Sequence, residues 1–289
     1  MQGSQRSDRE PISSPHNPKI KLVRRLLENR GFRYEYGAYV IEGARLVDEA
    51  IAASIDLEFV LFALDFEERE PGRRLLQKVR DSGVPLIPVA QGILSRLADT
   101  VTSQGILAVA RITMQDAETL IGCSIGELPL ILVCDEIKDP GNLGTILRSA
   151  WGFGVSLVVL PEGCVDLYNP KVVRSAMGAI FHVPVAIFEK STIEAIRWLR
   201  AHGIAILASS PHARRYCHQY DFVRPVAIVL GNEAWGISQE IAEASDDIVA
   251  IPMPGGSESL NVAVATSIVL YEAAKQRLVR GERLCYNSV

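Results

Sequence analysis

The sequence has no hydrophobic run long enough to cross a lipid bilayer, and its cysteines are few and scattered. A membrane-spanning helix needs about 20 consecutive apolar residues, and no stretch approaches that length although 48% of the 289 residues are hydrophobic. No signal-peptide pattern opens the chain. None of the five cysteines forms a Cys-x-x-Cys pair, so neither a zinc site nor a disulfide framework is indicated. We therefore expect a cytoplasmic protein without a membrane span or a bound metal.

An overall excess of basic charge is also missing. The chain carries 30 lysines and arginines against 34 aspartates and glutamates, a net charge of −4, which does not by itself indicate a nucleic-acid-binding protein. Residues 17–36 differ, because they combine six basic residues with two acidic ones and interleave Phe32, Tyr34 and Tyr36. This pattern suits an RNA surface, but composition alone favours a solvated helix face above a few core aromatics. The basic residues of the segment are Lys19, Lys21, Arg24, Arg25, Arg30 and Arg33.

The common fingerprints of nucleotide-binding proteins and hydrolases are absent as well. DPGNLGTILRSA (139–150) follows an apolar strand and opens a helix, but its two glycines do not have the G-x-G-x-x-G spacing of a dinucleotide site. No G-x-x-x-x-G-K-[ST] string exists, and GGSES (255–259) lacks the last glycine of G-x-S-x-G. The histidines and cysteine of PHARRYCHQY (211–220) match no metal signature, so a polar loop is favoured there. A nucleotide-dependent oxidoreductase is therefore disfavoured.

The chain does contain apolar strands alternating with helical segments, in two blocks. Residues 17–112 predict a small α/β domain with a mainly parallel sheet. Residues 1–16 are polar and predict a disordered tail, and the polar stretch 113–127 predicts a linker. The second block, 128–289, predicts another α/β domain. Its last helix, at 260–281, is apolar through Tyr271, so we expect the first half of that helix to be buried.

Three glycine-bearing turns of the second block each follow an apolar strand. They lie at 139–150, at 228–238 (IVLGNEAWGIS) and at 251–265 (IPMPGGSESLNVAVA). Strand ends are where α/β sheets gather their sites, and glycine allows close approach of a backbone, so three such turns predict a pocket. Ser259 or Asn261 could also be an ordinary cap of the last helix. The turns carry polar side chains that neither a turn nor a core requires, namely Asn142, Arg148, Asn232, Glu233, Ser259 and Asn261.

In order and spacing, these turns closely resemble the three motifs of the SpoU (TrmH) family of RNA 2′-O-ribose methyltransferases, in the SPOUT superfamily. The first motif is N-x-G-x-x-x-R, from Asn142 to Arg148, the second is LGNEAWGIS and the third is IPMPGGSESLNVAVATSIVLYEA. Together they span about 128–278. More loosely, FRYEYGAYVIEGARLVDEAI and SQGILAVAR are similar to the RNA-binding, ribosomal-L30e-like domain that precedes the catalytic domain in many members.

The resemblance implies an architecture and a cofactor. An L30e-like α/β domain would precede a SPOUT α/β-knot domain with a parallel sheet and a C-terminal trefoil knot. The cofactor would be S-adenosyl-L-methionine, held in the knot. Members are usually homodimers in which the first-motif arginine lies near the partner's cofactor, so we expect a homodimer here. The cofactor-binding residues implied are Gly231, Asn232, Ile251, Met253 and Leu260.

The resemblance also implies the reaction, the transfer of a methyl group from a sulfonium to a ribose 2′-oxygen. Arg148 matches the family's catalytic arginine, either as proton acceptor or as a clamp on the RNA phosphate. A guanidinium with a pKa above ~12 is rarely deprotonated, and a phosphate clamp is physically easier. Asn142, Glu233, Ser259 and Asn261 would complete the polar site, with Glu233 as an alternative proton acceptor.

For the substrate, ribosomal RNA is expected ahead of transfer RNA, because the first domain resembles that of ribosomal-RNA-modifying relatives. A catalytically silent RNA-binding protein on the same fold is a further alternative. The presence of all five residues implied to be catalytic argues against it, namely Asn142, Arg148, Glu233, Ser259 and Asn261.

Overall fold

The computed structural model describes residues 10–97, 104–113, 117–124 and 128–279. The chain groups into two compact units. The first extends to Thr113 and also takes in Tyr168–Arg174, and the second comprises the rest of the chain. No helix within these described ranges is long and apolar enough to cross a membrane.

The first unit is an α/β structure around a four-stranded sheet. The order of strands is β1-β4-β2-β3, and β4 runs antiparallel to both β1 and β2, while β2 and β3 are parallel. The prediction of a mainly parallel sheet is therefore wrong, because alternating element types do not fix the strand order that puts β4 between β1 and β2. Its elements are α1 (Pro18–Glu28), α2 (Arg30–Tyr36), β1 (Ala38–Glu42), α3 (Ala44–Ala52), β2 (Leu57–Ala63), α4 (Leu64–Glu68), α5 (Glu70–Asp81), β3 (Leu86–Val89), α6 (Gln91–Leu97) and β4 (Ile106–Arg111).

The basic segment folds as two helices that meet at Asn29. Asn29 has an extended backbone (φ −121°, ψ 110°), and its side chain accepts a hydrogen bond from the Phe32 N–H at 2.9 Å. An asparagine in this role is a favoured N-cap, so it ends α1 and begins α2. Gly31, whose position after Arg30 suggests the end of a helix, instead lies inside α2.

Ile12, in the described part of the tail, pairs with the first sheet, so the predicted disorder is wrong at this position. Ile12 bridges to Val89: the Ile12 N–H donates to Pro88 O at 2.9 Å, and the Ala90 N–H donates to Ile12 O at 3.0 Å. β3 lies at the edge of its sheet, where unpaired backbone groups can accept a further extended segment. Residues 1–9 lie outside the described residues.

The second unit is built on a seven-stranded sheet in the order β7-β6-β5-β10-β8-β11-β9, and every pairing is parallel. This confirms the predicted parallel sheet; the trefoil knot stays a prediction. Its strands are β5 (Leu130–Cys134), β6 (Leu157–Leu160), β7 (Val185–Ile187), β8 (Ala205–Ser209), β9 (Arg215–Tyr216), β10 (Val226–Leu230) and β11 (Asp247–Ala250). The helices of this unit are α7 (Ala117–Ser124), α8 (Pro140–Gly152), α10 (Thr192–Ala201), α11 (Gln239–Ala244) and α12 (Val262–Val279). The intervening helix α9 (Pro170–Ser175) belongs to the first unit as far as Arg174.

The stretch predicted as a linker contains α7. Leu120 and Ile121 of this helix are buried in the core of the second unit, in a cluster that includes Val133 and Val159 of neighbouring strands. Because this apolar pair is short and lies among polar residues, the sequence shows no helical periodicity here. Residues 114–116 and 125–127 lie outside the described residues.

The apolar half of α12 is buried on one side only. Val269 and Leu270 are in the core, but Val264 and Tyr271 are 48% and 59% exposed. The expectation that this half is buried is therefore wrong for the outer side of the helix, which leaves apolar side chains at the surface. Positions 280–281, at the end of the predicted helix, are outside the described residues.

Candidate functional site

Two of the three glycine-bearing turns, 228–238 and 251–265, line a cavity of about 790 Å³ at the carboxyl ends of β8, β10 and β11. The first turn joins them through Asn142, which is hydrogen-bonded to Glu233 and Asn261. Parallel strands direct their carboxyl ends to the same edge, so turns that are distant in sequence converge there. All five residues predicted to bind the cofactor line this cavity, namely Gly231, Asn232, Ile251, Met253 and Leu260. Three of the five predicted catalytic residues line it too, namely Glu233, Ser259 and Asn261.

Glu233 is held by the N-terminus of α8. Its Oε1 accepts hydrogen bonds from the Asp139 N–H at 3.1 Å and from the Asn142 side-chain amide at 3.2 Å, and its Oε2 accepts from the Lys138 N–H at 3.2 Å. The first backbone N–H groups of a helix lack partners within the helix and favour a nearby anion. Glu233 therefore joins the second motif to the first.

These contacts determine the protonation state of Glu233. Partial burial alone would raise the pKa of Glu233, but the hydrogen bonds from Asp139, Asn142 and Lys138 outweigh it and hold the pKa below its ordinary value. Its carboxylate is thus ionised at neutral pH and is a weaker base than an ordinary glutamate. This argues against Glu233 as the proton acceptor and favours a positioning role.

Asn261 links the third motif to the first. Its Oδ1 accepts from the backbone N–H of Ala263 at 2.9 Å and of Val264 at 3.3 Å, as a helix cap does. Its Nδ2 donates to Asn142 Oδ1 at 2.9 Å. Asn261 is therefore both the cap of α12 and part of the site, and Asn142 stands between Asn261 and Glu233.

The second motif forms a locked loop. Asn232 and Gly236 exchange backbone hydrogen bonds of 3.0 and 2.9 Å, and the buried Asn232 side chain donates to Glu136 O at 3.0 Å and accepts from the Ala234 N–H at 2.8 Å. A Cβ on Gly231 would overlap the backbone of Gly236 and Ile237. Glycine is thus needed at Gly231 to close the loop, and the side chain of Asn232 holds its shape.

Arg148 lies apart from this cavity. It is exposed on α8, it is not among the residues that line the cavity, and its side chain makes no hydrogen bond or ion pair to the described part of the chain. Asn142, on the same helix, is bonded to Glu233 and Asn261 instead. The fold of the chain therefore brings together four of the five predicted catalytic residues and leaves Arg148 outside.

The predicted RNA-binding residues divide into two groups. Arg33 is only 3% exposed, and its Nη1 donates to Leu26 O at 2.7 Å and to Leu27 O at 3.3 Å. It satisfies carbonyls at the end of α1, so its assignment to RNA binding is wrong. The other five, which are exposed on α1 and at the start of α2, are Lys19, Lys21, Arg24, Arg25 and Arg30.

Sequence reasoning missed the backbone groups of Lys138 and Asp139 that bind Glu233. Asp139 caps α8, because its Oδ1 accepts from the Asn142 N–H at 2.9 Å, and Pro140 follows at the first helical position. An aspartate followed by proline is a signal for a helix start, and it could have placed a helix N-terminus at this site. Across the described ranges, no three His, Cys, Asp or Glu side chains gather as a metal site requires.

Family models match most of the chain in two parts. Residues 129–271 match the SpoU rRNA Methylase family, and residues 17–108 match the MRM3-like substrate binding domain. The first match covers all three glycine-bearing turns, and the second covers the basic segment from its first residue.

Whole-chain comparisons agree with the family models. An uncharacterized tRNA/rRNA methyltransferase of Synechocystis is 33% identical over 271 residues, 94% of this chain and 96% of the relative. A 23S rRNA (uridine(2479)-2′-O)-methyltransferase of Streptomyces viridochromogenes is 29% identical over 281 residues, 94% of this chain and 96% of its own. The structure of the SpoU methyltransferase AviRb from Streptomyces viridochromogenes, in complex with AdoMet, superposes with a TM-score of 0.81 at 29% identity, covering 91% of this chain and 98% of that one.

The comparisons identify an S-adenosylmethionine-dependent RNA 2′-O-methyltransferase of the SPOUT class, and the parallel sheet, the cavity at its strand ends and the joined Asn142, Glu233 and Asn261 agree with it. The chain belongs to the SpoU rRNA methylase family. The family predicted from the three motifs is confirmed.

Proposed function

We propose that this chain methylates the 2′-hydroxyl of one ribose in ribosomal RNA. The observation that carries the proposal is the cavity lined by all five predicted cofactor residues, with Asn142, Glu233 and Asn261 bonded together beside it. The relatives whose names specify 23S rRNA support ribosomal RNA as the substrate. The Synechocystis relative, described as a tRNA/rRNA methyltransferase, makes transfer RNA the second candidate.

The cavity suits S-adenosylmethionine in size and chemistry. Its volume of about 790 Å³ lies within the range of roughly 300–1,000 Å³ found for small-molecule sites. Ile251, Met253 and Leu260 provide apolar lining, while Gly231 and Asn232 bring backbone groups to the wall. When bound, the cofactor supplies an electrophilic methyl group on a sulfonium sulfur.

The polar residues of the chain then have separate tasks. Asn142 and Asn261 orient the ribose at the cavity edge, while Glu233 fixes Asn142 and the N-terminus of α8. Arg148 holds the RNA phosphate next to the target ribose, because a guanidinium offers paired N–H donors that match a phosphate. The main contribution to the rate is positioning of the 2′-oxygen.

We further propose that the active enzyme is a homodimer. Arg148 is outside the cavity of its own protomer, so a second copy related by a two-fold axis would supply it. α8 and α12 pack against each other, with 2.7 Å between Ser149 Oγ and Ser267 Oγ. On the outer side of these helices Trp151, Val264 and Tyr271 are each about half exposed, which gives an apolar surface for the second copy.

A methyl-transfer assay tests the function. The purified chain is incubated with tritiated S-adenosylmethionine and, separately, with ribosomal and transfer RNA from a strain that lacks its gene. We expect label in ribosomal RNA, in a dinucleotide that resists alkaline hydrolysis because the 2′-oxygen is blocked. Label confined to transfer RNA would exclude the proposed substrate, and no binding of the cofactor at millimolar concentration would exclude the reaction.

The exposed basic residues of the first unit give a second test. Changing Arg24, Arg25 and Arg30 together to alanine should weaken RNA binding about tenfold or more and lower the slope of log affinity against log salt by about 2–3. The physical reason is that each arginine that contacts a phosphate displaces a counterion. Binding is measured by filter retention at several salt concentrations.

The charge-matched control changes three exposed arginines of the same unit to alanine: Arg69, within 3.1 Å of Asp65, and Arg73 and Arg74, within 3.9 and 2.9 Å of Glu70. This variant should bind RNA with the affinity and salt dependence of the original chain. If the triple variant also does so, α1 presents an ordinary solvated face.

A further inference from the structure

Trp235 is the most exposed large hydrophobic residue of the described chain. Its side chain is 82% exposed, and it lines the same cavity as Glu233 and Asn261. Exposure of an indole ring to water is unfavourable, so a ligand that covers this ring at the mouth of the cavity would gain binding free energy.

The ring is presented on a rigid support. It lies in the loop closed by the backbone pair between Asn232 and Gly236 and braced by the Asn232 side chain. The tight packing of Gly231 against Gly236 and Ile237 removes further freedom. A ligand that meets this ring would therefore not have to order the backbone first, which reduces the entropic cost of binding.

The surroundings of Trp235 favour a flat ligand over a protein surface. Its neighbours Glu233, Ala234, Ser238, Gln239 and Glu240 are also exposed, and all are polar or small. A stable protein interface buries about 800 Å² on each partner, far more than one ring provides, whereas a single ring among exposed polar and small residues suits stacking by another ring. Although Trp235 lines the cavity proposed for the cofactor, it stays 82% exposed, so most of its ring is open to a second ligand, and the RNA is the source of that ligand.

The charges nearby indicate which part of the RNA it meets. A second cavity, of about 540 Å³, lies on the other side of Trp235 and is lined by acidic residues that include Asp135, Glu162 and Glu240. Carboxylates repel the phosphate backbone, so the nucleobase is the part that this location accepts. Stacking of unpaired bases on aromatic side chains is a general mode of RNA recognition.

We propose that Trp235 stacks on an unpaired nucleobase of the RNA substrate at the mouth of the cavity and so fixes the strand that carries the target ribose. The inference rests on the proposed function, and it adds a positioning residue for the RNA.

Three substitutions separate stacking from bulk. Trp235→Ala should raise the KM for ribosomal RNA from the gene-deletion strain about tenfold, with little change in kcat, since it removes binding shared by substrate and transition state. Trp235→Phe keeps an aromatic face and should recover most of the affinity. Trp235→Leu keeps apolar bulk without that face and should behave like the alanine variant. The midpoint of thermal unfolding should stay the same in all three.

Two further measurements show whether Trp235 contacts the cofactor or a second copy of the chain instead of the RNA. Cofactor affinity by calorimetry and the dimer dissociation constant by sedimentation should be unchanged in all variants, and tryptophan quenching by the RNA should be smaller in Trp235→Phe than in the original chain. Weaker cofactor binding would assign the ring to the cofactor, and weaker dimerisation to a second copy; either overturns the inference. If the original chain methylates RNA and the Trp235→Ala variant has the same KM for RNA, the inference is overturned and the proposed function stands. An original chain that methylates no RNA would overturn the proposed function as well.

Discussion

Changing Arg148 to alanine is expected to lower methyl transfer by about 10²–10³-fold or more, the effect of removing a group that stabilises charge in the transition state. S-adenosylmethionine should bind with unchanged affinity, because Arg148 is not among the residues that line the cavity and its proposed contact is with the RNA phosphate. Transfer is measured with tritiated cofactor and binding by calorimetry. Loss of cofactor binding or of folding in this variant would make Arg148 a structural residue.

Arg148→Lys is the control that separates the two roles of the arginine. A lysine with a pKa near ~10.4 is a better proton acceptor than arginine but lacks its paired donors. If Arg148 clamps the phosphate, the lysine variant is slow at every pH. If it accepts the proton, the variant keeps activity that rises as the pH increases.

A mixed dimer tests whether Arg148 acts on the partner's cavity. Arg148→Ala, which keeps its cavity, is combined with Gly231→Ala, in which an added Cβ disturbs the loop that lines the cavity. Neither variant should be active alone. Random pairing should restore roughly one quarter of the original activity, because half of the dimers contain one complete site. No recovery in verified mixed dimers would place the arginine in the site of its own protomer.

Changing Arg277 to leucine is expected to lower the free energy of unfolding of the second unit by about 3 kcal/mol or more. Arg277 is 5% exposed and donates to four carbonyls: to Leu128 O at 2.6 Å, to Phe222 O and Arg224 O at 3.0 Å each, and to Pro129 O at 3.3 Å. It thereby ties α12 to the segments that enter β5 and β10. Leucine would leave carbonyls without this donor in a buried place.

Urea unfolding followed by tryptophan fluorescence measures this effect. All three tryptophans, at 151, 198 and 235, belong to the second unit, so the signal reports on that unit. Lys275→Ala, which removes the half-exposed partner of Glu272 on the same helix, is the control and should change the free energy of unfolding by about 1 kcal/mol or less. Equal stability of the Arg277→Leu variant would show that the four hydrogen bonds only offset the burial of the charge.

The second sheet was predictable because parallel strands are buried on both faces and appear as continuous apolar runs, such as those of β5 and β10. The mixed directions in the first sheet were not predictable, because they depend on β4 entering between β1 and β2. The two-residue β9 and the short α7 are too short for a periodic signal.

Part of the site was likewise predictable from the sequence and part was not. The second and third motifs identified residues of the cavity, since their polar side chains follow strand ends. They did not show that Glu233 binds the start of a helix more than 90 positions earlier in the chain. Nor could composition separate Arg33 from its neighbours, because its burial depends on the carbonyls of Leu26 and Leu27 that it satisfies.

The most direct test of the central claim is a map of 2′-O-methylated riboses in the ribosomal RNA of the source organism, made from resistance to alkaline cleavage. Strains with the intact gene, with the gene deleted and with the Arg148→Ala variant are compared. The account predicts one ribose that is methylated in the first strain and unmethylated in the other two. Identical ribosomal RNA maps in all three strains would contradict it.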